Sequence, residues 1–315
     1  MEDAAYCKGA PGGSPGEVHG AGRLGYLCVL LAAFLWAASG SISKYLFLNG
    51  ISPFQLVQLR TTLAAGALLI WLLARRRPLL AVKRRHFPFF LLLGIALAAA
   101  QFTYLFAISK IQVAAAILLQ YQAPVLVVAF AVLFAGRRLT FSTAAALLGA
   151  LIGCFLMVGA YRLEMMSLNR AGILSGLASA VTFALYSVKS EHGMRTYTPW
   201  TVVLYALLCA AFVWNTLHPP LEAFRHAHQG AVWGGILFVG IFGTVIPFGL
   251  YNEGIRRIRS THASITATSE PVIAGVIAWL FLGERMEGWQ LAGAGLVVAS
   301  LLLLQMRQDP PDGSG

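Results

Sequence analysis

Long apolar runs alternate with short polar connections along almost the whole chain. A membrane-spanning helix needs about 20 mostly apolar residues, and this chain meets that requirement ten times. The predicted helices are 25–46, 54–73, 87–108, 112–134, 140–160, 170–190, 198–218, 230–251, 261–282 and 288–306. Because the connections are short, nearly all the mass lies in the bilayer, which leaves no room for a soluble catalytic domain. The pattern therefore predicts an all-α integral membrane protein with ten transmembrane helices.

Composition and charge agree with this prediction. The chain is 58% hydrophobic and 11% charged, whereas a soluble domain carries roughly 25% charged residues. A net charge of +11 would suggest nucleic acid in a soluble protein, but the basic residues here cluster in alternate connections, as the positive-inside bias predicts. They are Arg75, Arg76, Arg77, Lys83, Arg84, Arg85, Arg137, Arg138, Arg256, Arg257 and Arg259. We therefore expect a lipid bilayer as partner, no nucleic acid, and both termini in the cytoplasm.

The two ends and the cysteines add little chemistry. Residues 1–23 are rich in Gly, Pro and polar side chains and are predicted to be a disordered tail rather than a signal peptide, since acidic residues there outnumber basic ones. Residues 307–315 form a predicted C-terminal tail. Cys28, Cys154 and Cys209 lie inside apolar spans, where Cys behaves as a small hydrophobe. No spacing indicates a metal site or a cofactor.

An internal repeat relates the two halves at an offset of 147 residues. Between 108–138 and 255–285, ten of 31 positions are identical, where chance at this composition gives roughly three. The repeats are predicted to cover 24–160 and 170–306, with five helices each. Because five is odd, the second copy must insert upside down. Inverted repeats are a recurrent design of secondary transporters, which surround one central site with two related gates.

Residues around two matched prolines resemble a known family. Gln122-Ala123-Pro124 corresponds to Ser269-Glu270-Pro271, and Phe134-Ala-Gly136-Arg137 corresponds to Phe281-Leu-Gly283-Glu284. The chain resembles the EamA-type ten-helix transporters of the drug/metabolite transporter superfamily over roughly 24–306, although Arg137 replaces the Glu that often closes the first repeat. The resemblance implies export of amino acids, drugs or other small metabolites through a cavity between the repeats, in a bacterial cytoplasmic membrane.

The matched prolines and one carboxyl are the first site candidates. Proline removes a helix hydrogen bond and frees the carbonyl four residues earlier, so Pro124 frees Gln120 and Pro271 frees Ala267. Matched helix breaks are the best sequence indication of a transport site, although a plain kink is the alternative. Glu270 lies deep in its span, where a charge is expensive. It could bind a substrate ammonium group, carry a proton, or pack against neighbouring helices.

Further polar side chains on several spans could line the same cavity. Arg60 could bind a carboxylate bidentately or extend to the outer headgroups. The full set of substrate-binding candidates is Trp36, Ser39, Arg60, Gln101, Tyr104, Gln120, Gln122, Tyr186, Tyr251, Thr266 and Glu270. Hydrogen bonds between helices are the alternative for each of them.

The sequence thus predicts a secondary transporter that exports a small polar or amphipathic metabolite, such as an amino acid, by alternating access. A proton is a candidate coupling ion. No Gly-x4-Gly-Lys-Ser/Thr loop is present for ATP. The alternatives are a non-transporting membrane scaffold and an intramembrane lipid-modifying enzyme. The enzyme would need a nucleophile–base pair or metal ligands on neighbouring spans, and the sequence offers only isolated His262 and Glu270.

Overall fold

The computed structural model describes residues 15–111, 113–161, 169–217, 230–282 and 287–306, and most of them are helical. The α-helices are α1 (Pro15–Leu48), α2 (Pro53–Arg75), α3 (Phe87–Lys110), α4 (Val113–Gln120), α5 (Ala123–Leu133), α6 (Phe141–Met157), α7 (Arg170–Gly193), α8 (Pro199–Leu217), α9 (Gly230–Gly240), α10 (Ile246–Ala267), α11 (Glu270–Leu282) and α12 (Gly288–Met306). Two short 3-10 turns, Arg77–Leu80 and Arg84–His86, connect α2 to α3.

Within the described ranges, eight helical segments are long and apolar enough to cross a membrane, and α6 is a shorter apolar helix. The described helices can be grouped into the ten predicted spans. The helices α1, α2, α3, α6, α7, α8 and α12 each form one span. Helices α4 and α5 together form the fourth. The segment Gly230–Ala267 holds 38 residues, about 57 Å of helix at 1.5 Å per residue, where a bilayer core is about 30 Å thick. Arg259 leaves the helical region inside it (φ 65°, ψ 162°), so residues up to 258 form the eighth span and the remainder joins α11 in the ninth.

Local sequence signals explain where several helices begin. Ser52 accepts a hydrogen bond from the backbone of Gln55, whose side chain accepts one from the backbone of Ser52, and Pro53 occupies the first helical position. This is a capping box with proline at its preferred site. Thr140 and Asn169 cap α6 and α7 through their side chains. Thr140 accepts from the backbone N–H of Thr143, and Asn169 accepts from those of Ala171 and Gly172.

The two repeats interleave rather than lie side by side. Helix α1 packs on α10 and α3 packs on α7, and these two pairs are related by the repeat offset. Helix α2 packs on α8 and α6 on α12, each against its own counterpart. Because each of these helix pairs joins one repeat to the other, the seam between the repeats runs through the middle of the molecule.

Two glycines show the inverted repeat at atomic detail. A Cβ placed on Gly25 would lie 2.7 Å from Ile258 and 2.8 Å from Arg257. A Cβ on the corresponding Gly172 would lie 2.5 Å from Ile111 and 3.1 Å from Lys110, and both pairs differ by exactly the 147-residue offset. The same close helix contact is therefore built twice, which confirms the predicted two five-helix repeats.

Helices α6 and α12 approach closely through small residues. A Cβ on Gly153 would lie 2.8 Å from the Gly293 carbonyl oxygen and 2.9 Å from the Val297 backbone nitrogen. A Cβ on Gly149 would lie 2.4 Å from Ser300 Oγ. Small residues let transmembrane helices approach to backbone contact, so the Gly149-x3-Gly153 spacing serves packing.

The first helix begins earlier than the sequence predicted. The predicted disordered tail covers 1–23, but the described chain is already helical from Pro15. Proline suits the first turn of a helix, and no other proline follows before position 53, so nothing interrupts the helix once it has started. Residues 1–14 and the predicted tail 307–315 lie outside the described residues, as does the Gly283–Glu284 pair of the second repeat motif.

Candidate functional site

Two spans are broken at matched positions in the middle of the molecule. Helix α4 ends at Gln120 and α5 begins at Ala123, while α10 ends at Ala267 and α11 begins at Glu270. The breaks fall just before Pro124 and Pro271, and each start and end differs from its partner by 147 residues. Proline cannot donate to the carbonyl four residues earlier, so both interruptions place free backbone carbonyls at the seam.

A cavity lies at this seam and receives side chains from both repeats. It is lined by Trp36, Ser39, Gly40, Ser43, Arg60, Ala100, Gln101, Tyr104, Leu105, Gln120, Tyr121, Ala123, Pro124, Phe183, Phe248, Ser264, Ala267 and Glu270. The cavity volume is about 60 Å³. Since one water needs about 10–15 Å³ of such a volume, the cavity is narrow, with room for a few water-sized groups.

The carboxyl group of the cavity belongs to Glu270. Its side chain is buried, and Oε2 accepts a hydrogen bond of 2.7 Å from the hydroxyl of Tyr121. Tyr121 stands in the break of span four and Glu270 at the start of α11, so this bond joins the two interrupted helices. Glu270 has no counterpart carboxyl in the first repeat, because position 123 is alanine.

Arg60 supplies the positive charge of the cavity. It is 6% exposed, so it does not extend to the headgroups. Its Nε donates to Thr244 Oγ1 at 3.0 Å and its Nη2 donates to the Gly243 carbonyl at 3.2 Å. Both acceptors lie in a π-helical turn, Ile241–Val245, and such turns often occur at functional sites. Within the described residues Arg60 and Glu270 form no ion pair with each other.

Two further side chains leave polar atoms without partners in the described structure. Gln101 accepts a hydrogen bond from Thr61 through Oε1 at 3.0 Å, but its Nε2 has no partner. The hydroxyl of Tyr104 has none either. Buried polar groups are normally hydrogen-bonded, so these two atoms are available to a solute or to water inside the cavity.

The second repeat closes the equivalent position. Tyr251 corresponds to Tyr104, and its hydroxyl bonds to Ser187 Oγ at 2.9 Å. The residue that corresponds to Ser187 is Gly40, which has no hydroxyl, and a Cβ there would lie 3.9 Å from the Tyr104 oxygen. The repeat is therefore symmetric in its backbone and asymmetric in its hydrogen bonds. The two cavity residues with unpartnered polar atoms, Gln101 and Tyr104, both belong to the first repeat.

Aromatic rings line one side of the cavity. They lie toward the end of the molecule that carries the arginine clusters at 75–77, 84–85, 137–138 and 256–257, here called the basic end. Trp36 contacts Phe183, Phe248 and Tyr251, with ring centroids 5.9, 5.3 and 5.4 Å apart. One helical turn further along α7, the hydroxyl of Tyr186 accepts a 2.7 Å bond from Asn252. Along α7, Tyr186 lies between the cavity residue Phe183 and the basic end.

An ion pair lies beyond the aromatic layer and also joins the repeats. Arg137, after α5, donates to Glu191 near the end of α7. The same carboxylate accepts from the backbone N–H of Ser260 at 2.8 Å and from its hydroxyl. Ser260 follows Arg259, whose positive φ is uncommon for a residue with a side chain. The ion pair therefore fixes the sharp connection between the eighth and ninth spans.

The structure places the predicted site residues in two groups. Lining the cavity are Trp36, Ser39, Arg60, Gln101, Tyr104, Gln120, Glu270 and Pro124. Outside its described lining are Gln122, Tyr186, Tyr251, Thr266 and Pro271. Tyr186 and Tyr251 are fully buried in the aromatic layer, and Thr266 donates its hydroxyl to the His262 carbonyl within its own helix. Gln122 donates to the Leu118 carbonyl.

Sequence reasoning missed Tyr121 and Glu191. Tyr121 could have been found because it precedes Gln122 in the same helix break, where side chains cannot follow a single helical face. Glu191 could have been found from its negative charge, because it is an acidic residue near the basic end of the molecule. Among the residues that the structure describes, no group of three or more His, Cys, Asp or Glu side chains could hold a metal ion.

Comparison with known proteins matches both repeats separately. The EamA-like transporter family matches residues 23–159 and again 170–306. The uncharacterized inner membrane transporter YicL of Salmonella typhimurium is 27% identical over 291 residues, which cover 91% of this chain and 97% of YicL.

Two named exporters are also similar. The pseudopaline exporter CntI of Pseudomonas aeruginosa is 24% identical over 289 residues, covering 90% of this chain and 96% of CntI. The threonine/homoserine exporter RhtA of Escherichia coli is 23% identical over 241 residues, covering 76% and 77%. A crystal structure with 23% identity superposes with a TM-score of 0.73 over 91% of this chain and 96% of its own, which shows a shared fold. The chain belongs to the EamA-like transporter family of the drug/metabolite transporter superfamily, and it is a multi-pass membrane transporter.

Proposed function

We propose that this protein exports a small zwitterionic metabolite, with an amino acid as the first candidate, by alternating access around the central cavity. The observation that carries the proposal is the pair of opposite charges in one buried space. Arg60 and Glu270 both line the cavity, and in the described structure neither neutralises the other. A solute with one carboxylate and one ammonium group is the ligand that would satisfy both.

Each charge has a defined task in this proposal. Arg60 binds the carboxylate through its remaining N–H groups, because a guanidinium offers several donors in a fixed fork. Its bonds to Thr244 and Gly243 hold that fork in place. Glu270 binds the ammonium group, and Tyr121 holds its carboxyl in position. The free Gln101 Nε2 and Tyr104 hydroxyl donate to the remaining oxygens of the solute.

The direction of transport and the coupling ion belong to the same proposal. The similarity to exporters of threonine, homoserine and pseudopaline supports export. The positive-inside bias supports a cytoplasmic basic end with both chain termini on that side. Glu270 exchanges its ammonium ligand for a proton during the return step, since a buried carboxylate without a counter-charge is expensive in the membrane.

Transport in proteoliposomes tests the proposal. Purified protein is reconstituted and the flux of labelled threonine, homoserine and a broader amino acid panel is measured with and without a pH gradient. Glu270→Gln should abolish flux while the protein still inserts, and Glu253→Gln should not, because Glu253 pairs with Arg256 and Arg257 outside the cavity. Absence of flux for every zwitterionic solute, or full flux in Glu270→Gln, would refute the proposal.

A further inference from the structure

A second cavity opens near the basic end, between α5 and α7, away from the central cavity. Its volume is about 390 Å³, against about 60 Å³ for the central cavity. Its lining combines two kinds of side chain, apolar residues such as Val127, Phe130 and Phe134, and charged residues around Glu191. No residue of this cavity lines the central one, so it is a separate site.

The apolar wall of the cavity faces the lipid. Phe130 is 39% exposed and Phe134 is 76% exposed, and the helix that carries Phe130 crosses the membrane. An aqueous ligand would gain nothing from such a wall. An acyl chain lying along it would cover surface that is otherwise in contact with bulk lipid.

The charged wall carries unbalanced positive charge. Arg137 is neutralised by Glu191, but within the described residues Lys189 and Arg195 have no carboxylate partner. Lys189 is half-buried and Arg195 is exposed, so both ammonium and guanidinium groups reach the rim. His192 lies beside them in the same lining. The rim therefore has an excess of about two positive charges where the helices leave the bilayer.

We propose that this cavity binds one anionic phospholipid of the leaflet at the basic end. Lys189 and Arg195 bind the headgroup phosphate, and an acyl chain lies against Val127 and Phe130. Basic pockets between transmembrane helices on the cytoplasmic side are suited to anionic headgroups. Because Arg137 and Glu191 line the same cavity, the bound headgroup lies next to the ion pair that joins the two repeats, and the lipid stabilises the closed basic end.

Native mass spectrometry of the purified full chain tests the site. Phosphatidylglycerol is titrated against the protein in detergent, and the retained lipid is counted for the wild type and for Lys189→Gln/Arg195→Gln. We expect about fivefold weaker retention for each charge removed, since one basic residue near a membrane surface contributes about 1 kcal/mol. Lys189→Arg/Arg195→Lys keeps the charges and should retain the lipid.

Three controls separate the lipid from other occupants. Arg75→Gln/Arg76→Gln removes two exposed charges at the same end but outside the cavity, and should bind as the wild type does. Equal retention of phosphatidylcholine would show an apolar groove without charge recognition and overturn the proposal. Displacement of phosphatidylglycerol by excess inorganic phosphate would show a site for a soluble anion and would also overturn the proposal. Unchanged retention in Lys189→Gln/Arg195→Gln would overturn the proposal as well. The assay reads lipid and not flux, so its failure is independent of the proposed transport.

Discussion

Replacing Gly40 by serine should make the protein more stable and its transport weaker. The second repeat has Ser187 at the equivalent position, where its hydroxyl satisfies Tyr251. A Cβ on Gly40 would meet only the Tyr104 oxygen, at 3.9 Å, so the substitution causes no clash. A serine hydroxyl is one bond closer and can reach the 2.7–2.8 Å that O–H···O bonds prefer.

The size of the effect follows from two separate contributions. Glycine in a helix interior is less stable than alanine by about 0.5–1 kcal/mol, and serine recovers part of that difference. A new hydrogen bond between helices in a membrane contributes about 0.6 kcal/mol on average and up to about 1.7. When the Tyr104 hydroxyl donates to the serine, it no longer donates to the solute, which is its proposed role. Loss of one such donor, about 0.5–1.5 kcal/mol, should raise the KM for transport about twofold to tenfold.

A set of matched variants separates the hydroxyl from the glycine effect. Thermal unfolding in detergent is measured for Gly40→Ser and Gly40→Ala, and for the same two changes at Gly66. Gly66 has nothing within 4 Å of a built Cβ, so its Ser-minus-Ala difference reports helix propensity alone. Subtracting that difference from the one at position 40 leaves the bond to Tyr104.

Two results would refute this reasoning. The first is a corrected Ser-minus-Ala difference at position 40 that is zero or destabilising. The second is that the stabilisation persists unchanged in a Tyr104→Phe background, since the serine would then have found another partner. Either result would mean that the open hydrogen-bonding position in the first repeat is not what distinguishes the two halves.

Three other changes test the neighbouring contacts. Gly153→Ala should destabilise the protein by about 1–3 kcal/mol through overpacking, because its Cβ would lie 2.8 Å from a carbonyl oxygen. Gly295→Ala on the opposing helix is the control, since a Cβ there meets nothing within 4 Å. Thermal unfolding compares the two variants, and equal stabilities would contradict the close contact. Arg60→Lys keeps the charge but loses the planar fork, part of which bonds Thr244 and Gly243 and the rest of which is proposed to bind the carboxylate. The KM should rise about tenfold for the loss of one charge-assisted bond to the solute; an unchanged KM would exclude the fork as the carboxylate ligand. Glu191→Gln should loosen the basic end, because it removes the carboxylate charge to which Arg137 and Ser260 both donate. The reporter is Ser264→Cys in the cavity, in a variant without the native cysteines, which should then react faster with a thiol reagent added from the basic end. An unchanged rate would mean that the ion pair does not close the path from the basic end to the cavity.

The membrane spans could be predicted because their long apolar runs are visible in the sequence and hardly depend on how the helices pack. The third span was expected at 87–108 and is found at Phe87–Lys110. The eighth was expected to end at 251, but helix continues to Ile258. Its last turns carry Glu253, Arg256 and Arg257, which pair with one another. Hydropathy detects where the chain leaves the hydrocarbon, whereas backbone hydrogen bonds continue beyond that boundary.

The chemistry of the cavity was predictable to a lesser degree. A carboxyl, a guanidinium or a proline inside a span is expensive, and so Glu270, Arg60 and Pro124 stand out without a structure. Tyr104 and Tyr251 cannot be told apart by that argument, because both are tyrosines at equivalent repeat positions. Their difference lies in the residue across the helix contact, glycine in one case and serine in the other, and only the packing of helices brings those residues together.

The division between backbone symmetry and side-chain asymmetry has a consequence for how a duplicated bundle can transport. Alternating access requires two states of similar energy, which a pair of related repeats provides when the helix contacts are equivalent, as they are around Gly25 and Gly172. A zwitterion has two different ends, so a fully symmetric lining could not orient it. This chain keeps the repeat in the close helix contacts and departs from it in the cavity lining. There, Ala123 of the first repeat corresponds to Glu270 of the second, and Gln101 corresponds to Phe248. Under the proposed function, motion and recognition therefore depend largely on different residues. A substitution of a lining residue that makes no contact between the repeats should change the solute with little effect on the balance between the two states.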